Sequence, residues 1–462
     1  MSEAKPGLVR RLGPFDATMI VMGGIIGSGI FRNPSSVARI VHTPTLILGA
    51  WVAGGIIALL GAFIYAELAA RKPEVGGQYA YLREAYNPLI GFLFGWTLFL
   101  ISDTGGMAAV SMVFAHYYIE LTGIGVPDWS IAVAVITILS IVNCLGVRAG
   151  GTVQNFFMVT KILAILVLVG FGLKAIGFAA PASASSTEST GPFNMLSTFG
   201  AALVPVMFAY GGWQTANFIA GEIKEPQKNL PKGLLIGVIG VIALYASVNF
   251  ICVSTLGPEG LAATNTPASA VMQIVLGEPG AKLIAIGIAI SAIGFLSQCI
   301  LVAPRVYFAM ADDGLFFKKM AWIHPRTRVP IYAIVAQGII AIIIVLSGKY
   351  EEILSYVVWN DFCFFGLTAS CIFIFRYRVR HKEGGQAQQI GNDITTHRMP
   401  GHPYTTGLFI IVAIFMVVNT FLTSSTEAGI GLVVTLAGIP VYYIWRWVNK
   451  DKHSKKQITN LK

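Results

Sequence analysis

The feature that most limits the fold of this sequence is the regular recurrence of long apolar runs. Runs of roughly 18 to 30 residues can cross a hydrocarbon core of about 30 Å as helices, whereas membrane β-strands are short and alternating. The chain is 55% hydrophobic and 12% charged, about half the charge of a soluble domain. We therefore predict an all-α membrane protein with twelve transmembrane helices. The predicted helices are 15–40, 44–70, 89–118, 129–147, 152–177, 197–220, 232–256, 281–310, 330–347, 353–377, 404–423 and 428–448.

Basic residues are concentrated in every second loop and in the tail. The opposite loops, such as 179–194, are nearly free of them. The positive-inside rule therefore predicts a multi-pass cell-membrane protein with both termini cytoplasmic. This asymmetry accounts for the net charge of +10 without a nucleic acid, although a basic tail could also touch anionic lipid. The loop residues that carry the signal are Arg71, Lys72, Arg83, Arg148, Lys224, Lys228, Lys232, Lys318, Lys319, Arg326, Arg328, Arg376, Arg378, Arg380, Lys382 and Arg398.

The first predicted helix contains four glycines in the seven residues from Gly23 to Gly29. Glycine in a helix interior costs about 1 kcal/mol relative to alanine. Glycines that serve close helix packing lie on one face, but these cover every face of about two turns. Non-helical backbone at membrane depth is tolerated only where it is buried or lines a wet cavity. We therefore predict that the first helix is unwound here.

The sixth predicted helix repeats the feature with Gly211-Gly212 in mid-span, after Pro205. Two interrupted helices in corresponding positions are typical of inverted-repeat transporters whose site lies at the midplane. The two lie five helices apart, so the second half must enter the membrane with the opposite topology. The predicted division is a tail (1–14), two five-helix repeats (15–178 and 197–378), two further helices (404–448) and a basic tail (449–462).

The interrupted helices predict a site for a zwitterion. Free N–H groups at the start of a half-helix attract anions, and free carbonyls at the end of another attract cations. An α-amino acid presents both charges within a few ångströms, although other zwitterions or ion pairs would also fit. The carboxylate is expected on Ser28, Gly29 and Ile30, beside Gly27. The ammonium is expected on carbonyls near Ile25 and Ile26, and near Phe208, Ala209 and Gly211.

At these residues the chain resembles the amino acid–polyamine–organocation (APC) superfamily, and within it the bacterial L-amino acid transporters. The stretches that match are Gly24–Phe31, Phe208–Trp213 and the loop Glu222–Pro231. The resemblance implies the LeuT-type fold, alternating access and backbone recognition of the substrate. It also implies a gate at Phe208, and we assign Trp213 to gating for its place beside the break. The stretch 120–130 contains no cysteine that would tether a second protein, so no obligatory protein partner is expected.

Lys161 lies inside the fifth predicted helix. A cation at the bilayer centre costs about 2.5–3.5 kcal/mol on insertion scales, so a functional role is the first reading and a snorkelling lysine the second. The resemblance implies that Lys161 replaces a sodium ion, donating to carbonyls near Gly24 and to a hydroxyl such as that of Ser297. That interpretation favours sodium-independent transport.

Asp103 in the third predicted helix and Asp361 in the tenth are the least expected residues. Both helices are expected to border the substrate, and we assign the two acids, with Gly105 and Gly106, to gating or specificity. Three roles stay open for the acids: pairing with a cationic substrate, relay of a proton, and a purely structural bond.

The function predicted from the sequence is sodium-independent transport of L-amino acids, neutral ones first, by exchange or with a proton. The alternatives are a cationic amino acid or polyamine permease, a sodium symporter and, from other classes, a channel or a membrane enzyme. An enzyme would need a nucleophile–base pair, a metal cluster or a phosphate loop, and none is found in the sequence. No cofactor and no metal are expected, since the five cysteines lie inside apolar runs without ligand spacing.

Overall fold

The computed structural model describes residues 12–145, 150–175, 192–327, 329–381 and 397–459. Several predictions fall outside these ranges: most of the N-terminal tail, Arg148, most of the loop 179–194, Arg328, Lys382 and the last residues of the basic tail.

The described chain is helical and carries no β-strand; one isolated bridge joins Leu12 and Ile223. The helices of the first half are α1 (Pro14–Ile25), α2 (Gly29–Val41), α3 (Pro44–Arg71), α4 (Gln78–Ala85), α5 (Pro88–Thr97), α6 (Asp103–Thr122), α7 (Asp128–Cys144) and α8 (Gly150–Ala175). The remaining helices are α9 (Pro192–Tyr210), α10 (Thr215–Phe218), α11 (Pro226–Ala263), α12 (Pro267–Val302), α13 (Pro304–Asp312), α14 (Ile331–Ser347), α15 (Tyr350–His381), α16 (Tyr404–Thr423) and α17 (Ser425–Thr459).

Proline begins many of these helices, because its missing N–H is one that a helix start leaves unpaired in any case. Glycine followed by proline also explains two interruptions that the apolar runs do not reveal. Gly257 (φ 66°) precedes Pro258 in α11, and Gly277 (φ 70°) lies two residues before Pro279 in α12. A left-handed glycine ends one helical stretch and the proline starts the next, so α11 and α12 each extend past the predicted boundary around a bend.

Nine helical segments of the described residues are long and apolar enough to cross a membrane. They are Pro14–Val41, Pro44–Arg71, Pro88–Thr122, Phe156–Lys174, Pro226–Ala263, Pro267–Asp312, Tyr350–His381, Tyr404–Thr423 and Ser425–Trp447. Three shorter apolar helices accompany them: Asp128–Cys144, Asn194–Tyr210 and Ile331–Ser347. The chain is therefore a multi-pass membrane protein.

The two broken segments lie at the centre of the bundle. Helix α1 packs against α11 and α8, α2 packs against α9, and α11 runs along α3. Helices α6, α12 and α15 border the same central region. Many of the large apolar side chains that remain exposed face outward from α7, α8, α14 and α16, as expected of surfaces in contact with lipid.

Charged side chains join several helices at one end of the bundle, which we call the basic end. Here the buried carboxylate of Glu67 pairs with Arg71 at 2.8 Å and Arg376 at 2.7 Å, and it accepts the backbone N–H of Met399. At the other end, Arg32 pairs with Glu351 at 3.2 Å.

Candidate substrate site

The first helix interruption separates α1 from α2 at residues 26–28. Ser28 is fully buried. Among the described residues, nothing accepts a hydrogen bond from the N–H groups of Ser28, Gly29 and Ile30, and the Ser28 hydroxyl is also unpaired. Three successive free donors at the start of a 13-residue helix form a site for an anion, because the dipole of α2 adds to their partial charges.

The carbonyl groups of the same interruption are bonded by side chains from distant helices. The Lys161 ammonium donates to the carbonyls of Ile26 at 2.8 Å and Gly23 at 3.3 Å. The side-chain amide of Gln298 donates to Ile20 at 2.8 Å. Unpaired buried carbonyls cost about 1–3 kcal/mol each, so Lys161 stabilises the end of α1 in its opened form. Ile20 lies inside α1, so the bond from Gln298 fixes the body of that helix against α12.

The second interruption separates α9 from α10 at residues 211–214 and is closed by its own neighbours. Gly212 has a positive φ of 102°, a conformation that costs glycine nothing. Its carbonyl accepts the Thr215 hydroxyl at 2.8 Å, and its N–H donates to the Gln214 side chain at 3.2 Å.

The two interruptions touch each other, and a cavity of about 80 Å³ lies beside them. A Cβ atom on Gly212 would collide with the carbonyl of Gly24, so only glycine permits this approach. The cavity is lined by Gly24, Ile25, Gly27, Ser28, Gly29, Leu98, Ser102, Asp103, Gly106, Val110, Met207, Phe208, Ala209, Gly211, Gly212, Gln214, Thr215, Phe218, Phe295, Gln298, Cys299, Val302, Val357, Val358 and Asp361.

Most predicted site residues line this cavity. From the first break these are Ile25, Gly27, Ser28 and Gly29, and from the second Phe208, Ala209 and Gly211; Gly106, Asp103 and Asp361 complete the set. Ile26 and Ile30 are buried behind the lining. The carbonyls of Ile25, Ile26 and Ala209 already accept protein donors, whereas the Gly24 carbonyl accepts none from the described residues.

Gly105 and Gly106 have different surroundings although they are adjacent. A side chain at Gly105 would collide with Val357 of α15, so this glycine serves helix packing. Around a Cβ atom at Gly106, no atom lies within 4 Å. Gly106 therefore leaves space for a ligand side chain.

Trp213 and Ser297 lie elsewhere than their sequence neighbours suggest. Trp213 is fully buried and does not line the cavity; its ring packs 4.9 Å from that of Phe365. No hydrogen bond joins Ser297 to Lys161 in the described chain. Phe295 faces the ammonium at 5.9 Å, and residues two apart on a helix point to opposite sides, which turns Ser297 away.

The Lys161 side chain is fully buried. It lies against α12, where Gly294 and Phe295 contact it. This burial does not fit a lysine that snorkels to the membrane surface.

Tyr245 of α11 was not singled out from the sequence, yet it joins both interruptions. Its hydroxyl lies 3.0 Å from the Ile25 carbonyl and 3.2 Å from the Ala209 carbonyl. The sequence does contain one signal for Tyr245 and for Gln298, namely a polar group in an otherwise apolar run. Such a run does not indicate which distant carbonyl will accept the hydrogen bond of that group.

Aromatic and polar contacts cover the cavity on the side away from the basic end. The Phe208 ring is half-buried and packs against Tyr350 with centroids 6.4 Å apart. The Tyr350 hydroxyl donates to Asn33, whose amide donates to the Pro205 carbonyl of α9 at 2.6 Å. At the basic end, Arg305 pairs with Glu222 at 3.2 Å and Arg83 pairs with Asp313.

The described residues contain no group of three or more His, Cys, Asp or Glu side chains that could hold a metal ion.

Comparison with known proteins identifies the family. The model of the family described as Amino acid permease matches residues 12–443. The serine/threonine exchanger SteT of Bacillus subtilis is 31% identical over 442 residues, which cover 95% of this chain and 97% of that protein. The large neutral amino acids transporter small subunit 2 of Homo sapiens is 27% identical over 96% of this chain and 82% of its own length. The cystine/glutamate transporter of Homo sapiens is 26% identical over 96% of this chain and 86% of its own length.

The chain belongs to the amino acid permease family. The resemblance seen at Gly24–Phe31 and Phe208–Trp213 is thereby confirmed, and so is the prediction that the protein is a transporter rather than an enzyme.

Proposed function

We propose that this permease exchanges small neutral L-amino acids across the cell membrane by alternating access, without sodium. The observation that carries the proposal is the row of three unpaired N–H groups at the start of α2, where Ser28 and Gly29 line the cavity. A carboxylate bound there gains charge-assisted hydrogen bonds. The free Gly24 carbonyl beside the cavity is a suitable partner for the ammonium group.

The size of the cavity supports small substrates. About 80 Å³ is available, and one water-sized group needs roughly 10–15 Å³. Alanine, serine or threonine fits such a space, and an aromatic amino acid does not. The name of the Bacillus subtilis relative points to the same size class, with serine and threonine as its substrates, and its description as an exchanger supports exchange here.

Lys161 supports the absence of sodium coupling. Its ammonium places a fixed positive charge on the carbonyls of Gly23 and Ile26. Those carbonyls would otherwise be suitable ligands for a hard cation. A sodium ion at the same place would be repelled.

In this proposal the chain crosses the membrane twelve times, as two inverted five-helix repeats followed by α16 and α17. Alternating access follows from that arrangement. The three shorter apolar helices (Asp128–Cys144, Asn194–Tyr210, Ile331–Ser347) complete the twelve. The breaks fall in the first helix of each repeat, as the arrangement requires. Phe208 is the gate in this proposal, because it covers the cavity against Tyr350.

The basic end is cytoplasmic in this proposal, as are both termini. The human relative is named a small subunit, but stretch 120–130 of this chain has no cysteine. We propose that the permease works without a covalently tethered partner.

A counterflow measurement tests the function. Purified protein in liposomes preloaded with L-serine should take up labelled L-serine, L-threonine or L-alanine several-fold faster than empty vesicles do, in the absence of sodium. Amino acid methyl esters and the amines without a carboxylate should not compete, because each lacks a charge that the zwitterion site requires. Uptake that requires sodium, or esters that compete as well as the parent amino acids, would contradict the proposal.

Two partly buried acids favour one second candidate, a permease for short cationic amino acids. Asp103 and Asp361 both line the cavity. Competition by 2,3-diaminopropionate that exceeds competition by serine would favour it.

A further inference from the structure

Among the described residues that line the cavity, Asp103 on α6 and Asp361 on α15 are the two with carboxyl groups. Their neighbours Ser102 and Asn360 are hydrogen-bonded to each other at 2.8 Å, which brings the two acids to the same part of the cavity. Backbone recognition of a zwitterion uses neither of them. Each belongs to a helix that borders the space left by Gly106. Their role in the transporter therefore needs a separate explanation.

The local structure directs Asp103 into the cavity. A π-helix, Leu98–Ser102, precedes it, and the Asp103 N–H bonds back to the Leu98 carbonyl. Such π-helical turns are rare and occur often at functional sites. The Oδ2 atom of Asp103 is buried and has no hydrogen-bond partner among the described residues.

Asp361 follows a residue that is hydrogen-bonded to the neighbour of Asp103. The side-chain amide of Asn360 donates to the Ser102 hydroxyl at 2.8 Å. This bond joins α15 to the π-helical turn that precedes Asp103. Asp103 keeps its buried Oδ2 atom free for a ligand.

No cation from the described residues forms an ion pair with either acid. The ammonium of Lys161, which also lies in the centre of the bundle, donates to the carbonyls of Gly23 and Ile26. The other titratable groups that face the acids are neutral in their ordinary state: Cys299 on α12, Tyr307 on α13, Tyr65 on α3 and Cys363 on α15.

Two neighbouring carboxylates in a medium of low dielectric constant repel each other strongly, and the Lys161 ammonium is bonded to backbone carbonyls and to neither acid. A bound zwitterion adds no net charge. The pair therefore needs a cation of its own when the substrate is bound.

We propose that Asp103 and Asp361 form a proton site that is occupied together with the substrate. The proton resides on Oδ2 of Asp103, from which it can be donated to the carboxylate of Asp361. When the cavity opens at the basic end, the proton passes to water as the substrate is released. The cavity is too small for a zwitterion with a long cationic side chain, which favours a proton as the cation. This inference rests on the proposed function and adds the coupled ion to it.

Calorimetry on the purified full-length protein tests the site. Titration of L-serine (or of L-threonine or L-alanine, whichever gives the largest counterflow) in buffers of different ionisation enthalpy measures how many protons bind with the substrate. Between about pH 5 and pH 8, we expect the wild type to take up a fraction of a proton approaching one per substrate. Asp103→Asn and Asp361→Asn should bind the same amino acid with an uptake near zero. Asp128→Asn, an exposed acid outside the cavity, is the control and should behave as the wild type does.

The pH dependence of counterflow gives a second readout. Counterflow of labelled L-serine by the wild type should slow as the pH rises and the proton site empties. Counterflow by Asp103→Asn, whatever its rate, should be independent of pH over the same range.

Substrate binding by the wild type without proton uptake would overturn the proton site and leave the proposed function intact. Proton uptake that persists in both Asn variants would overturn it as well. If 2,3-diaminopropionate binds better than serine only when both acids are present, the pair is a site for a substrate ammonium and not for a proton. Absence of counterflow in the wild type would instead contradict the proposed function itself.

Discussion

The two helix interruptions contact each other at Gly24 and Gly212, yet they are held open in different ways. The carbonyls beside the first are bonded by Lys161 and Tyr245, which lie 135 and 220 residues away along the chain, and Gln298 bonds the body of α1 at Ile20. The second is closed mainly by Gln214 and Thr215, within three residues of Gly212, and shares with the first the Tyr245 hydroxyl, which lies 3.2 Å from the Ala209 carbonyl. The first therefore depends on the relative positions of α1, α8, α11 and α12, and the second depends mainly on its own sequence.

The difference between distant and local hydrogen-bond partners indicates which interruption can respond when the helices of the bundle move. Contacts between elements change when helices move as rigid bodies, whereas contacts within one turn do not. We expect the first interruption to report the conformational state of the transporter and the second to behave as a fixed bend. Four substitutions test whether the first interruption responds to conformational state and the second does not.

The largest effect is expected from Gly29→Val, which should abolish substrate binding. A Cβ atom at Gly29 would lie 2.9 Å from the Ala209 backbone, so α2 would be pushed away from α9 and the free N–H groups would lose their position. Thermal-shift titration with L-serine measures the loss, since a bound ligand raises apparent stability. Gly170→Val, on the outer face of α8 with no atom within 4 Å, is the matched control. Wild-type affinity in a folded Gly29→Val protein would contradict a site at α2.

Lys161→Ala should reduce flux strongly with near-normal expression. The carbonyls of Gly23 and Ile26 lose their donor at a cost of about 1–3 kcal/mol each, part of which entering water recovers. No sodium dependence should appear, because no carboxylate ligand from the described residues contacts the ammonium. Proteoliposome counterflow with and without a sodium gradient measures both effects. Lys174→Ala, on the exposed end of the same helix, is the control. A fully active Lys161→Ala would show that the first break does not need its distant cation.

Tyr245→Phe should have a smaller effect, because it removes one hydroxyl and keeps the ring. Ile25 keeps a second donor, the N–H of Gly27 at 2.8 Å, so about one hydrogen bond is lost in net terms, worth roughly 0.5–1.5 kcal/mol. We expect the maximal rate to fall about three- to tenfold, the change that this energy corresponds to. Tyr210→Phe is a close control, since the Tyr210 ring packs 5.0 Å from that of Tyr245 and its buried hydroxyl has no partner in the described chain. Equal rates in the two variants would remove the proposed bridge between the interruptions.

Thr215→Val should have the smallest effect of the four. It deletes one of the two side-chain bonds to Gly212. The bond from the Gly212 N–H to the Gln214 side chain and the positive φ of Gly212 remain. We expect a loss of stability of about 1 kcal/mol, seen in a thermal melt, with transport within about twofold of the wild type. Thr255→Val, at a buried hydroxyl without a partner among the described residues, is the control. A loss of transport as deep as that of Lys161→Ala would mean that the second break also changes during transport.

The backbone part of the site could be predicted from the sequence because it depends on local composition. The glycines at 23–29 and 211–212 weaken the helix wherever the bundle places them. Lys161 could be predicted as well, because a cation in an apolar run is costly at any depth and needs a partner. The same argument identifies Asp103 and Asp361, although it leaves three roles open for them.

The directions in which neighbouring residues point could not be predicted. Gly211 and Trp213 lie two residues apart in the second interruption, but only Gly211 lines the cavity. Gly105 and Gly106 are adjacent, and one packs against α15 while the other faces open space. A helix that is apolar on all faces gives no periodic signal that would distinguish such neighbours.

From the amino-acid sequence one can read that this chain is a bundle of apolar helices, where two of them are interrupted, and that a lysine in an apolar run needs acceptors. These properties follow from solvation and from backbone preference, which act on a residue and its near neighbours. The packing of the helices is what brings Tyr245 to both interruptions, Gln298 to α1, and Asp103 and Asp361 to one cavity. Those pairings join positions that are up to 278 residues apart, and they depend on how long helices pack and rotate against one another, which no local preference encodes.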